Sequence, residues 1–144
     1  MNKNATIAAI LCTTKLVCAD TPVILPDHDK FVKGGKGYLV QTTIPGDFTT
    51  LEGIIGALLM LGDQAANKKL TFPFKGLAPL YRGLSKQGNK VILRFAKGAD
   101  EILSGTAAEQ QLLRVPLDAT VQLHCPGVEE VLYEIDGKIF VWDA

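Results

Sequence analysis

Few residues in this chain could do chemistry, and the densest group of them is Asp27, His28 and Asp29. Carboxylates and imidazoles are the usual ligands of divalent metals and the usual acid–base groups of enzymes. Consecutive residues of an extended chain point to alternate sides, so three in a row seldom converge on one ion. The pattern therefore favours a solvated loop. It leaves open a small metal- or ligand-binding protein, or an enzyme, that uses the Asp27–Lys36 loop.

A second candidate is the glycine-rich stretch in which Lys33 and Lys36 alternate with Gly34, Gly35 and Gly37. Backbone N–H groups of such loops can cradle a phosphate when a helix follows directly. Here the Walker spacing is absent, and the pattern after Gly37 predicts a strand. The stretch is therefore predicted to be a loop and not a phosphate site.

The remaining polar residues also lack a catalytic context. Ser85 and Ser104 lie in no nucleophile-elbow motif, and Glu129 and Glu130 fall on opposite faces of a strand. Lys68, Lys69 and Lys75 are predicted to lie in a solvated loop, and His124 is predicted to favour a helix C-terminus. We therefore predict no catalytic, cofactor-binding or metal-ligating residue, no cofactor, and a protein that is not an enzyme.

Composition narrows the class further. The 144 residues suffice for one domain with its own core. The chain carries 15 basic and 15 acidic residues, so its net charge gives no reason to expect nucleic acid or an anionic membrane surface as partner. Three cysteines, Cys12, Cys18 and Cys125, form no Cys-x-x-Cys pair, which argues against a zinc site or a disulfide framework. Cys125 is predicted to be a small buried apolar residue.

The first nineteen residues resemble a secretory signal peptide. Lys3 precedes an apolar run, Ala5 to Leu11, and Val17-Cys18-Ala19 is similar to the small-residue pattern before a cleavage site. The match favours residues 1–19 as a cleaved leader and an exported domain over residues 20–144. The alternative is an amino-terminal strand from Ala5 to Thr13, which would make the protein cytoplasmic. No segment reaches the roughly 18 apolar residues of a membrane span.

The elements that would position any site begin with two strands, Pro22 to Leu25 and Tyr38 to Ile44, joined by a charged loop from Pro26 to Gly37. A helix from Leu51 to Gly62 should follow, capped by Thr49 and Glu52. Gly53 and Gly56 reduce its helix propensity, which indicates a close backbone approach by a strand or a partner.

A hairpin, a second long helix and a last hairpin should follow. Leu80 to Ser85 and Lys90 to Ala96 read as a hairpin, and Lys97 to Leu103 as a connector. A long helix should then begin at a capping box of Thr106 and Glu109 and stop at Pro126-Gly127. Pro116 should kink this helix or end its first half near Val115, and a bent helix is the favoured outcome. A last hairpin is expected from Val128 to Trp142. Its type I′ turn is Asp136-Gly137, and its returning strand contains Ile139, Val141 and Trp142.

These elements predict an α+β fold with two helices packed on an antiparallel or mixed sheet. The helix-plus-hairpin unit occurs over residues 49–96 and again over residues 105–142, which suggests an internal duplication.

A family resemblance rests chiefly on the run from Gly105 to Lys138, GTAAEQQLLRVPLDATVQLHCPGVEEVLYEIDGK. It resembles the closing segment of the GerMN domain, which reads as an acidic-apolar helix, Pro-Gly-Val and a strand that ends in glycine. Matching positions are Glu109, Leu112, Leu113, Thr120, Pro126, Gly127, Val128, Val131, Ile135 and Gly137. The likeness extends in outline over residues 20–144, through Tyr38-Leu39-Val40, the helix that ends at Gly62, Gly88, and Val91 to Phe95.

The resemblance implies a non-enzymatic protein–protein interaction module of the cell envelope, as in sporulation and germination proteins, with halves that resemble ring-building motifs. Its partners would be envelope proteins or further copies of the chain. Exposed strand edges and the loops from Asp27 to Gly37 and from Asp63 to Lys75 would be the contact surfaces.

Overall fold

The computed structural model describes residues 20–34, 37–61 and 76–142, which form an α+β fold as predicted. Two short strands and a short helix come first, and a helix–hairpin unit then occurs twice. The elements are β1 (Thr21–Pro26), α1 (His28–Val32), β2 (Leu39–Ile44), α2 (Leu51–Met60), a 3₁₀ turn (Ala78–Leu80), β3 (Tyr81–Gln87), β4 (Lys90–Phe95), α3 (Ala99–Leu103), α4 (Ala107–His124), β5 (Glu130–Ile135) and β6 (Lys138–Ile139).

The first two strands pair antiparallel from Thr21 opposite Ile44 to Pro26 opposite Leu39. The prediction of a charged loop between them was wrong in part, because the helix α1 forms there. The Asp27 carboxylate accepts a hydrogen bond from the Lys30 N–H at 3.2 Å and so caps this helix. An aspartate at an N-cap position was the sequence signal for α1.

The other four strands form one mixed sheet in the order β3-β4-β5-β6. The pairs β3–β4 and β5–β6 are antiparallel hairpins, whereas β4 and β5 run parallel, with Lys90 opposite Glu130 and Phe95 opposite Ile135. Parallel neighbours need a crossover connection, and α3 and α4 supply it. The predicted mixed sheet is therefore confirmed, with the two hairpins joined through their inner strands.

The core lies between this sheet and the two long helices. Alternate residues of β4 are buried, as expected for a sheet with one covered face. The core residues with the least exposure are Val23, Leu25, Ile44, Ile55, Leu58, Leu77, Val91, Leu93, Leu103, Leu117, Val121 and Tyr133. On the opposite face of the sheet, the parallel register aligns the ion pairs Lys90–Glu130 at 3.7 Å and Arg94–Glu134 at 3.3 Å.

The helix α2 starts at Leu51 as predicted, but its N-cap lies one residue later than predicted. Thr50, not Thr49, is the N-cap, and its hydroxyl accepts the Gly53 N–H at 3.1 Å. The capping box with Glu52 does not form, because the Glu52 carboxylate lies beside Gly83 of β3 instead. The helix ends at Met60 with Leu61 as its C-cap, and the predicted stop at Gly62 lies outside the described residues.

The capping box of α4 is confirmed. The Thr106 hydroxyl accepts the Glu109 N–H at 3.2 Å, and the Glu109 carboxylate accepts the Thr106 N–H at 2.8 Å. These bonds lower the pKa of Glu109 because they stabilise its ionised form. The helix then continues through Pro116 to His124, so its first half does not end at Val115.

The last hairpin has the predicted turn but a shorter returning strand. Asp136 and Gly137 adopt φ angles of 50° and 83°, as a type I′ turn requires. The strand β6 stops at Ile139, although the Phe140 N–H still donates to the Tyr133 carbonyl oxygen at 2.7 Å, and Trp142 packs its ring on both Phe140 and Tyr133. The predicted connector before α4 also differs, since it contains α3 with Ala99 and Leu103 buried one turn apart.

Across residues 20–34, 37–61 and 76–142, no helix is both long and apolar enough to cross a membrane.

Candidate functional site

An apolar groove lies beside α2, with a volume of about 490 Å³. The loop that follows β2 forms one wall, and one side of α2 forms the other. The residues that line this α2 groove are Pro45, Phe48, Gly53, Gly56, Ala57, Met60 and Leu61. Ligand sites commonly fall in this size range and are mostly apolar.

The glycines of α2 open the groove. Gly53 and Gly56 carry no side chain, so the helix surface between Phe48 and Tyr81 stays bare. A β-carbon added to Gly56 would lie 3.4 Å from Cε2 of Tyr81, and one added to Gly53 would lie 3.6 Å from Cδ1 of Phe48. Both distances are ordinary van der Waals contacts with side chains, so the close backbone approach predicted from these glycines is not seen among the described residues.

The chemistry of the groove is that of an apolar contact surface. Met60 stands at its end with 73% of its surface exposed, although methionine is usually buried. Every lining residue in the described part of the chain is apolar or glycine, so none of these side chains can donate a proton or bind an ion. The groove can take up apolar side chains, and flexible methionine suits such contacts.

Asp27, His28 and Asp29, which the sequence left open as ligands, do not converge on one point. Asp27 uses its carboxylate to cap α1, and His28 and Asp29 form the first turn of that helix. Neither the α2 groove nor a second cavity beside β6 is lined by these residues. Within the described ranges, no group of three or more His, Cys, Asp or Glu residues could hold a metal ion.

The glycine-rich stretch follows α1 and leads into β2. Lys33 is the C-cap of α1, and Gly34 follows it with a φ of 145°. Gly35 and Lys36 lie outside the described residues, as do Lys68, Lys69 and Lys75. After Gly37 the chain enters the strand β2, as the sequence predicted.

The other polar residues considered in the sequence lie in or next to regular secondary structure. Glu129 accepts a hydrogen bond from the Asn89 amide at 2.8 Å, and Glu130 pairs with Lys90. Ser104 is the C-cap of α3, and the Ser85 hydroxyl is buried without a hydrogen-bond partner among the described residues. Cys125 is half-buried as a free thiol, whereas Cys12 and Cys18 lie outside the described residues.

His124 lies in the last turn of α4 as predicted, but its ring bonds to β1 and does not cap its own helix. Its Nε2 donates a hydrogen bond to the Pro22 carbonyl oxygen at 2.6 Å. One turn earlier, the buried Thr120 hydroxyl accepts the Ile24 N–H at 2.9 Å. Two side chains of α4 therefore bind backbone groups of β1, which fixes the first strand to the last helix.

No sequence pattern predicted the contact between Asp118 of α4 and Tyr133 of β5, whose pKa values are both raised. The buried Tyr133 hydroxyl donates to the Asp118 carboxylate at 2.8 Å. Burial raises the pKa of Asp118 to about 6, against the opposing effects of this hydrogen bond and of Arg114. Burial also raises the pKa of Tyr133. The only sequence signal was the Arg114–Asp118 spacing of four residues on a helix.

Comparison of the chain with protein-family models, with curated proteins and with solved structures found no match.

Proposed function

We propose that this protein is a non-enzymatic protein–protein interaction module and that the α2 groove is its docking surface. The observation that carries this proposal is the groove itself, an open apolar surface beside the exposed Met60. Exposed apolar surface on one face of a domain commonly marks an interaction site.

The lining of the groove also supports one kind of partner. A small polar substrate would need donors and acceptors to fix its orientation, and the side chains of the described lining residues supply none. Bare helix backbone at Gly53 and Gly56 allows another chain to approach closely. The partner that fits is therefore a protein segment that presents apolar side chains. It would bind at α2, and not at the Asp27–Gly37 and Asp63–Lys75 loops that the sequence had suggested as contact surfaces.

The proposal places this module in the cell envelope, as its resemblance to GerMN domains of sporulation and germination proteins implies. The leader-like residues 1–19 support export. The intact mass of the protein from fractionated source cells tests this part. We expect a species that begins at Asp20 in the envelope fraction. Full-length protein in the cytosol would refute export without affecting the groove.

Site-specific photo-crosslinking tests the docking surface. A photoreactive amino acid at position 60 should give one discrete adduct in the source cells. The matched control is position 32 on α1, because Val32 is similarly exposed, at 70% against 73% for Met60. The adduct from a crosslinker at position 56 should disappear when Met60→Glu is added and persist with Val32→Glu. Identical adducts from positions 60 and 32 would contradict the assignment to α2.

A further inference from the structure

The side of the four-stranded sheet that points away from the core carries two rows of opposite charge. Alternate residues of β4 are buried in the core, and consecutive residues of a strand point to opposite sides. Lys90 and Arg94 therefore lie on the side away from the core, here called the outer face. The parallel register puts Glu130 and Glu134 of β5 beside them. The outer face thus has a basic row along β4 and an acidic row along β5.

An apolar strip crosses the outer face between these charges. Ile92 of β4 stands opposite Leu132 of β5, midway between the two ion pairs. Both residues are half-buried, and neither is among the described residues that pack on the core. Ile139 of β6 is opposite Glu134, so it lies on the same face, with 47% of its surface exposed. Exposed apolar residues that are rimmed by charged ones are typical of an interaction surface.

The ion pairs within the chain leave their charges able to bind a second molecule. About half of each side chain in the Lys90–Glu130 pair is exposed, and the Arg94–Glu134 pair is partly exposed. A lysine ammonium group donates three hydrogen bonds, and a carboxylate has about four acceptor sites. Each of these groups can therefore gain a partner on another molecule without losing the one it has.

The arrangement of the rows fits a second copy of the chain in one orientation. Two sheets pack face to face about 10 Å apart with their strands nearly aligned. A two-fold axis that runs parallel to the strands, between β4 and β5, places β4 of each copy over β5 of the other. Lys90 then faces Glu130 of the second copy, and Arg94 faces its Glu134. A two-fold axis across the strands would instead place Lys90 over Arg94, which brings like charges together.

We propose that the outer face is the interface of a homodimer in which the basic row of each copy binds the acidic row of the other. The backbone of this face measures about 15 Å across the strands and about 20 Å along them. It is smaller than the roughly 800 Å² that each partner of a standard interface buries. The dimer is therefore weak and sensitive to salt. It uses none of the residues that line the α2 groove, so it does not depend on the function proposed for that groove.

Sedimentation equilibrium of the full chain measures the dimer. At low salt, we expect a shift from monomer to dimer between about 10 µM and 1 mM, the range of a weak interface. The dissociation constant should rise about tenfold between about 50 and 500 mM NaCl, because salt screens the facing rows. A reducing buffer prevents disulfide formation through the free thiol of Cys125. A protein that stays monomeric at every concentration would overturn the proposal.

Reversal of one row tests whether the charges hold the dimer. Lys90→Glu combined with Arg94→Glu makes both rows acidic and should abolish dimerisation. The matched control is Lys86→Glu combined with Lys138→Glu, which changes the net charge equally but on the opposite side of the sheet. This control should dimerise like the wild type, and circular dichroism confirms that both variants fold. Equal dimerisation of the two variants, or equal loss in both, would contradict the proposed interface.

Exchange of both rows tests the orientation and keeps both ion pairs within the chain. The four changes are Lys90→Glu, Arg94→Glu, Glu130→Lys and Glu134→Arg. This variant should dimerise with itself like the wild type. It should not bind a trace of fluorescently labelled wild-type chain, because like rows would then face each other. Mixed dimers of the two proteins, or a variant that is folded but monomeric, would overturn the arrangement.

Discussion

At the scale of single residues, Thr120 shows how one hydroxyl connects distant parts of the chain. It is fully buried, accepts the Ile24 N–H, and donates to the Pro116 carbonyl oxygen at 2.9 Å. The sequence placed it on an apolar helix face, where a threonine hydroxyl normally needs a partner. The Pro116 oxygen belongs to its own helix, whereas the Ile24 N–H comes from β1, 96 residues earlier in the chain.

We expect Thr120→Val to lower the free energy of unfolding by about 1–3 kcal/mol, because the Ile24 N–H would lose its acceptor in a dry site. Urea denaturation measures this loss. Thr120→Ser is the matched control, because it keeps the hydroxyl and loses only a methyl group. If the valine variant were as stable as the wild type, the hydroxyl would not be what holds β1 on α4.

Asp118 gives the pH dependence of stability. Its pKa is raised in the folded protein to about 6 from an ordinary value of 3.8, so the folded state binds the proton more tightly than the unfolded state. The free energy of unfolding should therefore fall as the pH rises from about 4 to 6 and be level above that. At 1.36 kcal/mol per pKa unit, the fall is at most about 3 kcal/mol.

Urea denaturation at several pH values, compared between the wild type and Asp118→Asn, isolates this contribution. The comparison is needed because the lowered pKa of Glu109 acts in the opposite direction at lower pH. The asparagine variant should become the more stable protein above pH 6. Parallel stability curves for the two proteins would mean that Asp118 titrates equally in the folded and unfolded states.

At the scale of elements, the glycines of α2 lower the stability of the helix and leave part of its surface without side chains. Glycine in a helix interior costs up to about 1 kcal/mol relative to alanine. An alanine β-carbon at position 56 would make ordinary contact with Tyr81 at 3.4 Å. We expect Gly56→Ala to raise the free energy of unfolding by about 0.5–1 kcal/mol, measured by urea denaturation.

Gly53→Ala is the comparison for this prediction. Its β-carbon would lie 3.1 Å from the Thr50 hydroxyl oxygen that caps the helix, which is tighter than an ordinary contact. The gain there should be smaller than at position 56. An equal gain at both positions would show that helix propensity alone sets the result and that neighbouring contacts have no influence.

At the scale of the whole molecule, the two helix–hairpin units are parts of one core. The inner strands β4 and β5 pair side by side along their full length, and α4 packs on β1 from the first part of the chain. Neither unit covers its own apolar surface. The apparent repeat in sequence therefore does not correspond to two independent domains.

We expect a fragment of residues 20–103 to show no cooperative thermal transition by circular dichroism, because it lacks α4 and β5. Adding a fragment of residues 104–144 should restore the transition. Independent folding is tested by the first fragment alone, and a sharp transition in it would contradict a shared core.

The sequence by itself determined the regular elements that local patterns encode. The capping box at Thr106 and Glu109, the Asp136-Gly137 turn, the order of helices and hairpins and the α+β class all follow from short-range hydrogen bonding and periodicity. The short helices α1 and α3 were missed because each spans little more than one turn, too short for a periodic signal.

Only the tertiary structure decided how those elements meet. Long-range contacts carry no local pattern, so sequence could not place Thr120 and His124 on β1 or the Tyr133 hydroxyl on Asp118. The glycines of α2 predicted a close backbone approach, whereas in the structure they line an apolar groove beside Phe48 and Met60. That outcome depends on which neighbours the fold brings to the helix, and packing alone determines them.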